Sequence, residues 1–303
     1  MKYEYREINL RKDTLALIGF MNELIDSYMR QGFTLSVRQL YYQLVARDLI
    51  ANTEQSYKRI ASIINDGRLA GLIDWDAIED RNRDVQMRTR WNSGSQIMDA
   101  AARSFHMDMW DNQENRVLVI VEKAALAGVL EGVCNRYDVP LLAARGYPSV
   151  SIVREIAIQH IAPAINNGQY VTVLHLGDHD PSGIDMTRDL EERFNMFIEH
   201  EVEPGEEDRF TLDRIALTMD QIEERKPPPN PAKTTDARFG SYIKVYGRES
   251  WELDALDPNY LNNLVDSHIN RFIDDDLWAL ASERVEAIRN KLSETANQWR
   301  KAD

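Results

Sequence analysis

Apolar side chains recur at three- and four-residue steps through residues 10–30, at Leu15, Ile18, Met21, Leu24, Ile25 and Met29, which places them on one face of a helix. Gly32 ends that pattern. A second stepped set, Val37, Leu40, Tyr41, Leu44 and Val45, predicts a helix that Thr34 or Ser36 can cap. The third runs from about Thr53 to Leu69, with Tyr57, Ile60, Ile63 and Ile64 on its inner face and Lys58, Arg59 and Arg68 off it. Gly71 then leads into a short extended stretch, Leu72-Ile73-Asp74-Trp75-Asp76. Three short helices and a strand-like ribbon are the order of a winged helix-turn-helix, which lays one helix on duplex DNA. A plain three-helix scaffold has the same spacing.

The pattern changes beyond residue 79. Polar sequence with Arg81, Arg83, Arg88 and Arg90 carries a helix near residues 95–104 and reads as a linker. Val117 to Val121 is then an unbroken β-branched and aliphatic run, short enough for a strand buried on both faces. A helix from Ala124 to Tyr137, a strand at Leu141 to Ala143, a helix from Ser149 to Ile161, a strand from Val171 to Leu176 and a helix from Ser182 to Ile198 follow. Such alternation implies βαβ crossovers and a parallel sheet covered by helices. Lys226 to Pro231, with four prolines, is an extended loop, and the chain after Asn259 is mainly helical. The expected architecture is therefore α/β, with a helical unit over residues 1–110, linker included, and a sheet unit with a helical C-terminal extension over 111–303.

Charge divides along the same line. Residues 1–110 hold 15 basic and 15 acidic groups, so the whole net charge of −14 falls in residues 111–303. An electroneutral front and an acidic remainder suggest two surfaces with different tasks, one able to track phosphates and one able to hold cations. The single cysteine, Cys134, excludes an internal disulfide framework and any cysteine-built zinc or iron–sulfur centre. The charged N-terminus has no apolar targeting core, and no apolar run reaches the roughly 20 residues of a spanning helix. These features fit a cytoplasmic protein with no membrane partner.

In an open α/β sheet, reactive groups collect at the carboxyl ends of the strands. Here the first strand runs into Glu122, and the third into Asp178-His179-Asp180-Pro181-Ser182-Gly183. Alternation points Asp178 and Asp180 to one side and His179 to the other. Three carboxylates at neighbouring strand ends repel one another unless a cation lies among them, and hard oxygen donors suit Mg²⁺, with Mn²⁺ as a substitute. Helix capping by the two aspartates is the simpler alternative.

A Glu closing the first strand, an Asp-x-Asp-Pro-x-Gly closing the third and the turn Ala144-Arg145-Gly146-Tyr147-Pro148-Ser149 between them resemble the Toprim domain. Val37-Arg38-Gln39-Leu40-Tyr41-Tyr42 is similar to the Arg-Asp-(Ile/Leu)-(Tyr/Phe)-Tyr segment of the family that contains the topoisomerase VI A subunit and the meiotic double-strand-break transesterase. Trp251-Glu252-Leu253-Asp254-Ala255-Leu256 resembles that family's Glu-Leu-x-Ala-Leu element. The likeness covers residues 10–76 and 115–260, in the family's order.

The resemblance implies a winged-helix domain joined to a Toprim domain and a Mg²⁺-dependent DNA-cleaving transesterase. Tyr42 would be the nucleophile, joined to a 5′ end and so making double-strand breaks, with Arg38 at the scissile phosphate and Glu122, Asp178 and Asp180 holding the metal. It implies a homodimer on double-stranded DNA, its active sites shared between subunits. Lys58, Arg59, Arg68, Arg81 and Arg83 are the expected DNA contacts. A phenol with an ordinary pKa of about 10 needs a neighbouring cation to react at neutral pH, and Arg38 lies one helical turn before Tyr42.

Gln39 departs from the family's Asp, little sequence precedes the first helix, and no phosphate-binding loop of an ATPase occurs. These departures suggest a minimal, free-standing form from a bacterial, archaeal or mobile-element genome, open to an unidentified regulatory partner. Two other readings fit the same residues: a Toprim nuclease that activates water, with Tyr42 merely structural, or a partner-regulated DNA-binding protein that has lost cleavage. Tyr41 continues the apolar face and reads as core, and Lys123, opening a helix, reads as solvated.

Overall fold

The computed structural model describes residues 1–32, 34–78 and 90–300. Three helices form the front of the chain: α1 (Lys12–Met29), α2 (Val37–Val45) and α3 (Glu54–Leu69). Ser36 rather than Thr34 caps α2, its side chain accepting from the Gln39 amide while the Gln39 side chain accepts from the Ser36 amide. Thr53 caps α3. The stepped apolar residues meet in one core, with Met21, Leu40, Leu44 and Ile60 essentially without exposure. The extended stretch after Gly71 does not form a strand. It is held by single bridges, Glu4 to Ala70 and Leu35 to Ile78, and by Arg68, whose guanidinium donates to the carbonyls of Trp75 (2.9 Å) and Ile78. With charged Asp74 and Asp76 interrupting it, the segment wraps the helices instead of pairing with a neighbour.

Helix α4 (Gly94–Ser104) precedes the sheet, which is built from β1 (Asn115–Val121), β2 (Leu141–Ala143), β3 (Tyr170–Leu176) and β4 (Phe210–Ala216) in the order β2-β1-β3-β4, all parallel. Between them run α5 (Ala127–Arg136), α6 (Val150–Ile156), α7 (Ala162–Asn166) and α8 (Pro181–Ile198). Alternate residues of β1 serve opposite faces. Val117, Val119 and Val121 pack with α5, while Leu118 and Ile120 pack with α6 and α8, so a separate core lies on each side of the sheet. Strand β4 escapes the sequence pattern because it is an edge strand: Thr211 and Asp213 face outward and break the apolar run. The chain is thus an α/β protein with a four-stranded parallel sheet.

After β4 come α9 (Met219–Arg225), a two-residue ladder between β5 (Asn230–Pro231) and β6 (Glu249–Ser250) with α10 (Phe239–Tyr246) between its strands, and finally α11 (Pro258–Asn270) and α12 (Asp275–Arg300). Helix α11 covers α5, and α12 lies along α4. Ala255 is buried in the core of the front helices and Tyr28 Oη donates to Asp257 at 2.6 Å, so the segment before α11 ties the two parts together. Among the described residues no helix is long and apolar enough to cross a membrane.

Candidate active site at the strand ends

Register places the carboxyl ends of β1 and β3 side by side: Val121 is opposite Leu176, and the Glu122 amide donates to the Leu176 carbonyl at 2.9 Å. Glu122 Oε2 in turn accepts from the Asp178 amide at 2.9 Å. The turn from β3 into α8 is tight. A Cβ at position 183 would lie 2.2 Å from the Asp178 carbonyl oxygen, so this approach requires Gly183. Arg214 of β4 fixes the turn from below, donating to the carbonyls of Gly177 (3.0 Å), Asp178 (2.7 Å) and Gly183 (2.9 Å). The Gly-Tyr-Pro turn closes over it, with Tyr147 Oη bonded to Asp185 at 2.8 Å.

The two aspartates have different surroundings. Asp180 caps α8: its Oδ1 accepts from the Gly183 amide and the Ser182 hydroxyl, both at 2.7 Å. Asp178 caps nothing. Its Oδ1 accepts from the Leu253 amide at 2.8 Å, and its Oδ2 lies 2.8 Å from Lys123 Nζ. His179 points away, as alternation requires, with its Nδ1 2.9 Å from the Tyr242 hydroxyl. Its backbone forms a two-way bridge with Trp251 (2.8 and 3.0 Å), which draws residues 251–254 onto the strand ends.

That bridge adds two acids that the strand-end pattern omits. Glu252 and Asp254 alternate toward the same side and meet both Lys123 and Arg38. Lys123 Nζ is 2.8 Å from Glu252 Oε2 and 3.9 Å from Asp254 Oδ1; Arg38 pairs with Glu252 through a terminal nitrogen and, through Nε, with Asp254 Oδ2 at 2.8 Å. Lys123, expected to be solvated, is therefore buried among carboxylates. A line of ion pairs, Asp178–Lys123–Glu252–Arg38, runs from the third strand to α2. The Glu-x-Asp alternation in residues 252–254 is visible in the sequence, but nothing local shows that it folds back onto another strand's end.

Electrostatics follow from this packing. Burial, and then the charge of Asp178, push the Glu122 carboxyl up to about 7. Burial raises Asp178 too, against the pull of Lys123. Asp254, with no exposed surface, is pushed up to about 6 by burial despite its two cations. For Glu252 burial is outweighed by Lys123 and Arg38, which hold it down at about 2. Burial disfavours the charges on Lys123 and Arg38, yet the surrounding carboxylates keep both firmly protonated.

Tyr42 projects from α2 into a cleft of about 230 Å³ walled by Arg38, Tyr57, Asn230 and Glu252. The Arg38 guanidinium carbon lies 5.7 Å from its ring centroid, and Asn230 lines the same cleft. Burial, then Glu252 and Asp254, raise the phenol above its ordinary value, with Arg38 and Asn230 offsetting only part. Tyr41 is packed as core, its hydroxyl on Asn52 at 2.9 Å.

The expected DNA-contacting residues are dispersed. Lys58 and Arg59 stand exposed on α3, Lys58 paired with Glu54 at 2.7 Å. Arg68 is turned inward onto Trp75 and Ile78. Arg81 and Arg83 lie outside the described residues. No protein-family model matches this chain, and no curated protein matches it.

The donor set Glu122, Asp178 and Asp180 is all hard oxygen, which suits a divalent cation. Five carboxylates crowd the site against Lys123, Arg38 and Arg214, and their mutual repulsion contributes to lifting Glu122. Among the described residues no group of three or more His, Cys, Asp or Glu side chains converges to hold a metal, because Asp178 is turned to Lys123 and Asp180 to its helix. The chemistry of the donors fits such an ion; their side chains must turn to receive it.

Proposed function

We propose that this protein is a cation-dependent DNA-cleaving transesterase of the type the resemblance implies, a winged-helix unit carrying Tyr42 joined to a Toprim-like acid site. The observation that carries the reading is the ion-paired line Asp178–Lys123–Glu252–Arg38, which joins the strand-end acids to the tyrosine helix across distant parts of the sequence. A phosphodiester in the working site would meet the same three partners: a phenol, a guanidinium and an acid cluster. The Tyr42 oxygen attacks phosphorus, the 3′ oxygen leaves, and the 5′ phosphate stays on the tyrosine. Arg38 offers a planar fork for the phosphate oxygens. Glu122, Asp178 and Asp180 would hold Mg²⁺ or Mn²⁺, which supplies charge neutralisation at the developing oxyanions.

In the single chain Tyr42 is closed in: about 4% exposed, facing Asn230 across a small cleft and beside carboxylates that repel phosphate. Attack therefore requires α2 to leave the acids of its own chain. A two-fold dimer on duplex DNA provides this by letting Tyr42 of one chain serve the acids of the other, and it supplies the second nucleophile that breaking both strands demands.

A hydrolytic nuclease is the second reading, favoured by the same raised phenol, since a tyrosine held neutral is a poor nucleophile. End-labelled duplex DNA incubated with Mn²⁺ and run on a denaturing gel separates the two. Transesterification leaves protein on 5′ ends and is abolished in Tyr42→Phe. Free 5′ phosphates from wild type and variant alike would establish hydrolysis, and intact DNA with the wild type would remove both.

A further inference from the structure

Lys123 occupies an unusual position for a residue directly after a candidate ligand. Its side chain is about four-fifths buried, and its ammonium makes contacts of 2.8 Å with Asp178 and 2.8 Å with Glu252 and a longer one of 3.9 Å with Asp254. Of these three, only Asp178 belongs to the donor set at the strand ends. The other Asp178 oxygen is fixed by the Leu253 amide, so the oxygen that faces Lys123 is the one left to receive a ligand.

We infer that Lys123 is an internal counter-ion of the acid site: its ammonium stands at Asp178 in the position a divalent cation must take, and Glu252 is the partner that keeps hold of it once displaced. The inference rests on the cation reading above. Two positive groups cannot share one carboxylate oxygen at contact distance, because their repulsion in a poorly solvated site is large. Lys123 therefore weakens cation binding while keeping the empty site from holding uncompensated buried acids. Glu252 is suited to retain it, since it stays ionised at any pH near neutrality.

The test uses the full chain without DNA, with Mn²⁺ as probe and its paramagnetic resonance signal reporting free ion. Lys123→Met should bind Mn²⁺ about tenfold or more tightly than wild type, the scale expected for removing one charge at contact distance. In wild type, amine acetylation mapped by mass spectrometry should show Lys123 protected without the ion and labelled several-fold faster when Mn²⁺ saturates, with exposed Lys58 as internal reference. This second measurement stands even if the variant fails to fold. Unchanged Lys123 labelling with Mn²⁺ demonstrably bound, or a folded variant whose affinity equals or falls below that of wild type, overturns the inference alone. Absence of Mn²⁺ binding in both proteins overturns the cation reading itself, and this inference with it.

Discussion

Arg38 Nε lies 2.8 Å from Asp254 Oδ2 in an ion pair, and this carboxylate, with no exposed surface, accepts no hydrogen bond among the described residues. This pair binds the helix of Tyr42 to the segment that also touches Asp178. Removing only the arginine strands a buried charge, which typically costs about 3–5 kcal/mol. Arg38→Met should lose stability on that scale in denaturant titrations at neutral pH, and less in acid, where Asp254 takes up a proton. Adding Asp254→Asn should restore most of it. A loss below about 1 kcal/mol, the scale of an exposed ion pair, would mean that solvent screens the pair.

The raised carboxyls of the site should contribute less to stability as pH rises through their own range. The Glu122 carboxyl is lifted from 4.5 to about 7 in the folded chain, so its contribution is full below pH 4.5 and lost as pH climbs through about 7. Asp254, lifted to about 6, acts in the same direction. Glu252, held down at about 2, acts oppositely, its contribution disappearing as pH falls below its ordinary range. Burial also holds His175 and His179 below their ordinary range, which adds stability as pH rises, so the quantity to read from unfolding free energies between pH 4 and pH 8 is the falling component that Glu122→Gln removes. Mn²⁺ binding should strengthen over the same interval, because it needs the ionised carboxylate. A slope unchanged by the substitution would assign the titration elsewhere.

The two tasks of Asp180 can be separated by substitution. Ala at this position removes the cap of α8, typically costing about 1 kcal/mol, together with any ligand charge. Asn retains the acceptor for the Gly183 amide and removes only the charge. Asp180→Asn should keep the thermal midpoint near that of wild type while losing cation-dependent cleavage, whereas Asp180→Ala should lose both. Full cleavage by the Asn variant would reduce Asp180 to a helix cap.

Subunit mixing tests how the halves of the site combine. Tyr42→Phe and Glu122→Ala proteins, each inactive alone, are mixed under conditions that allow exchange. Heterodimers with one intact composite site should nick single strands. No nicking, despite demonstrated exchange, would place the tyrosine and acids of each working site in one chain.

The sequence makes some of this arrangement plain. Buried parallel strands need apolar residues on both faces, so β1 stands out as a continuous run and β3 as a mainly apolar one interrupted by Thr172 and His175, and their terminal acids are exposed to view with them. The stepped helices α1 to α3 are similarly clear. Strand β4 is not, because an edge position admits Thr211 and Asp213. Nor are the partners of Lys123 and Arg38, since their carboxylates arrive through a backbone bridge between His179 and Trp251, a contact with no local periodicity. The ribbon expected at residues 72–76 failed for a related reason. Extended residues become a strand only where a neighbour offers its edge, and Arg68 takes up the carbonyls first.

The bridge between His179 and Trp251 also bears on how the molecule assembles the candidate site. Arg38 and Glu252 are 214 residues apart in the chain, and Lys123 and Glu252 are 129 apart. Closing loops of that length costs entropy before any contact returns it, so the front helices and the sheet can collapse separately while the ion-paired line is still unmade. The Arg38 end of that line is then made by a docking event between two formed bodies, and its reversal does not require either core to melt. Trp251 and Leu253 pack in the same core as Val119, so hydrogen exchange should find the Leu253 amide protected together with the sheet while this separation occurs. The junction between α2 and the strand-end acids thus belongs to a different cooperative unit from the two cores, and a chain that has finished folding by most spectroscopic measures can still lack it.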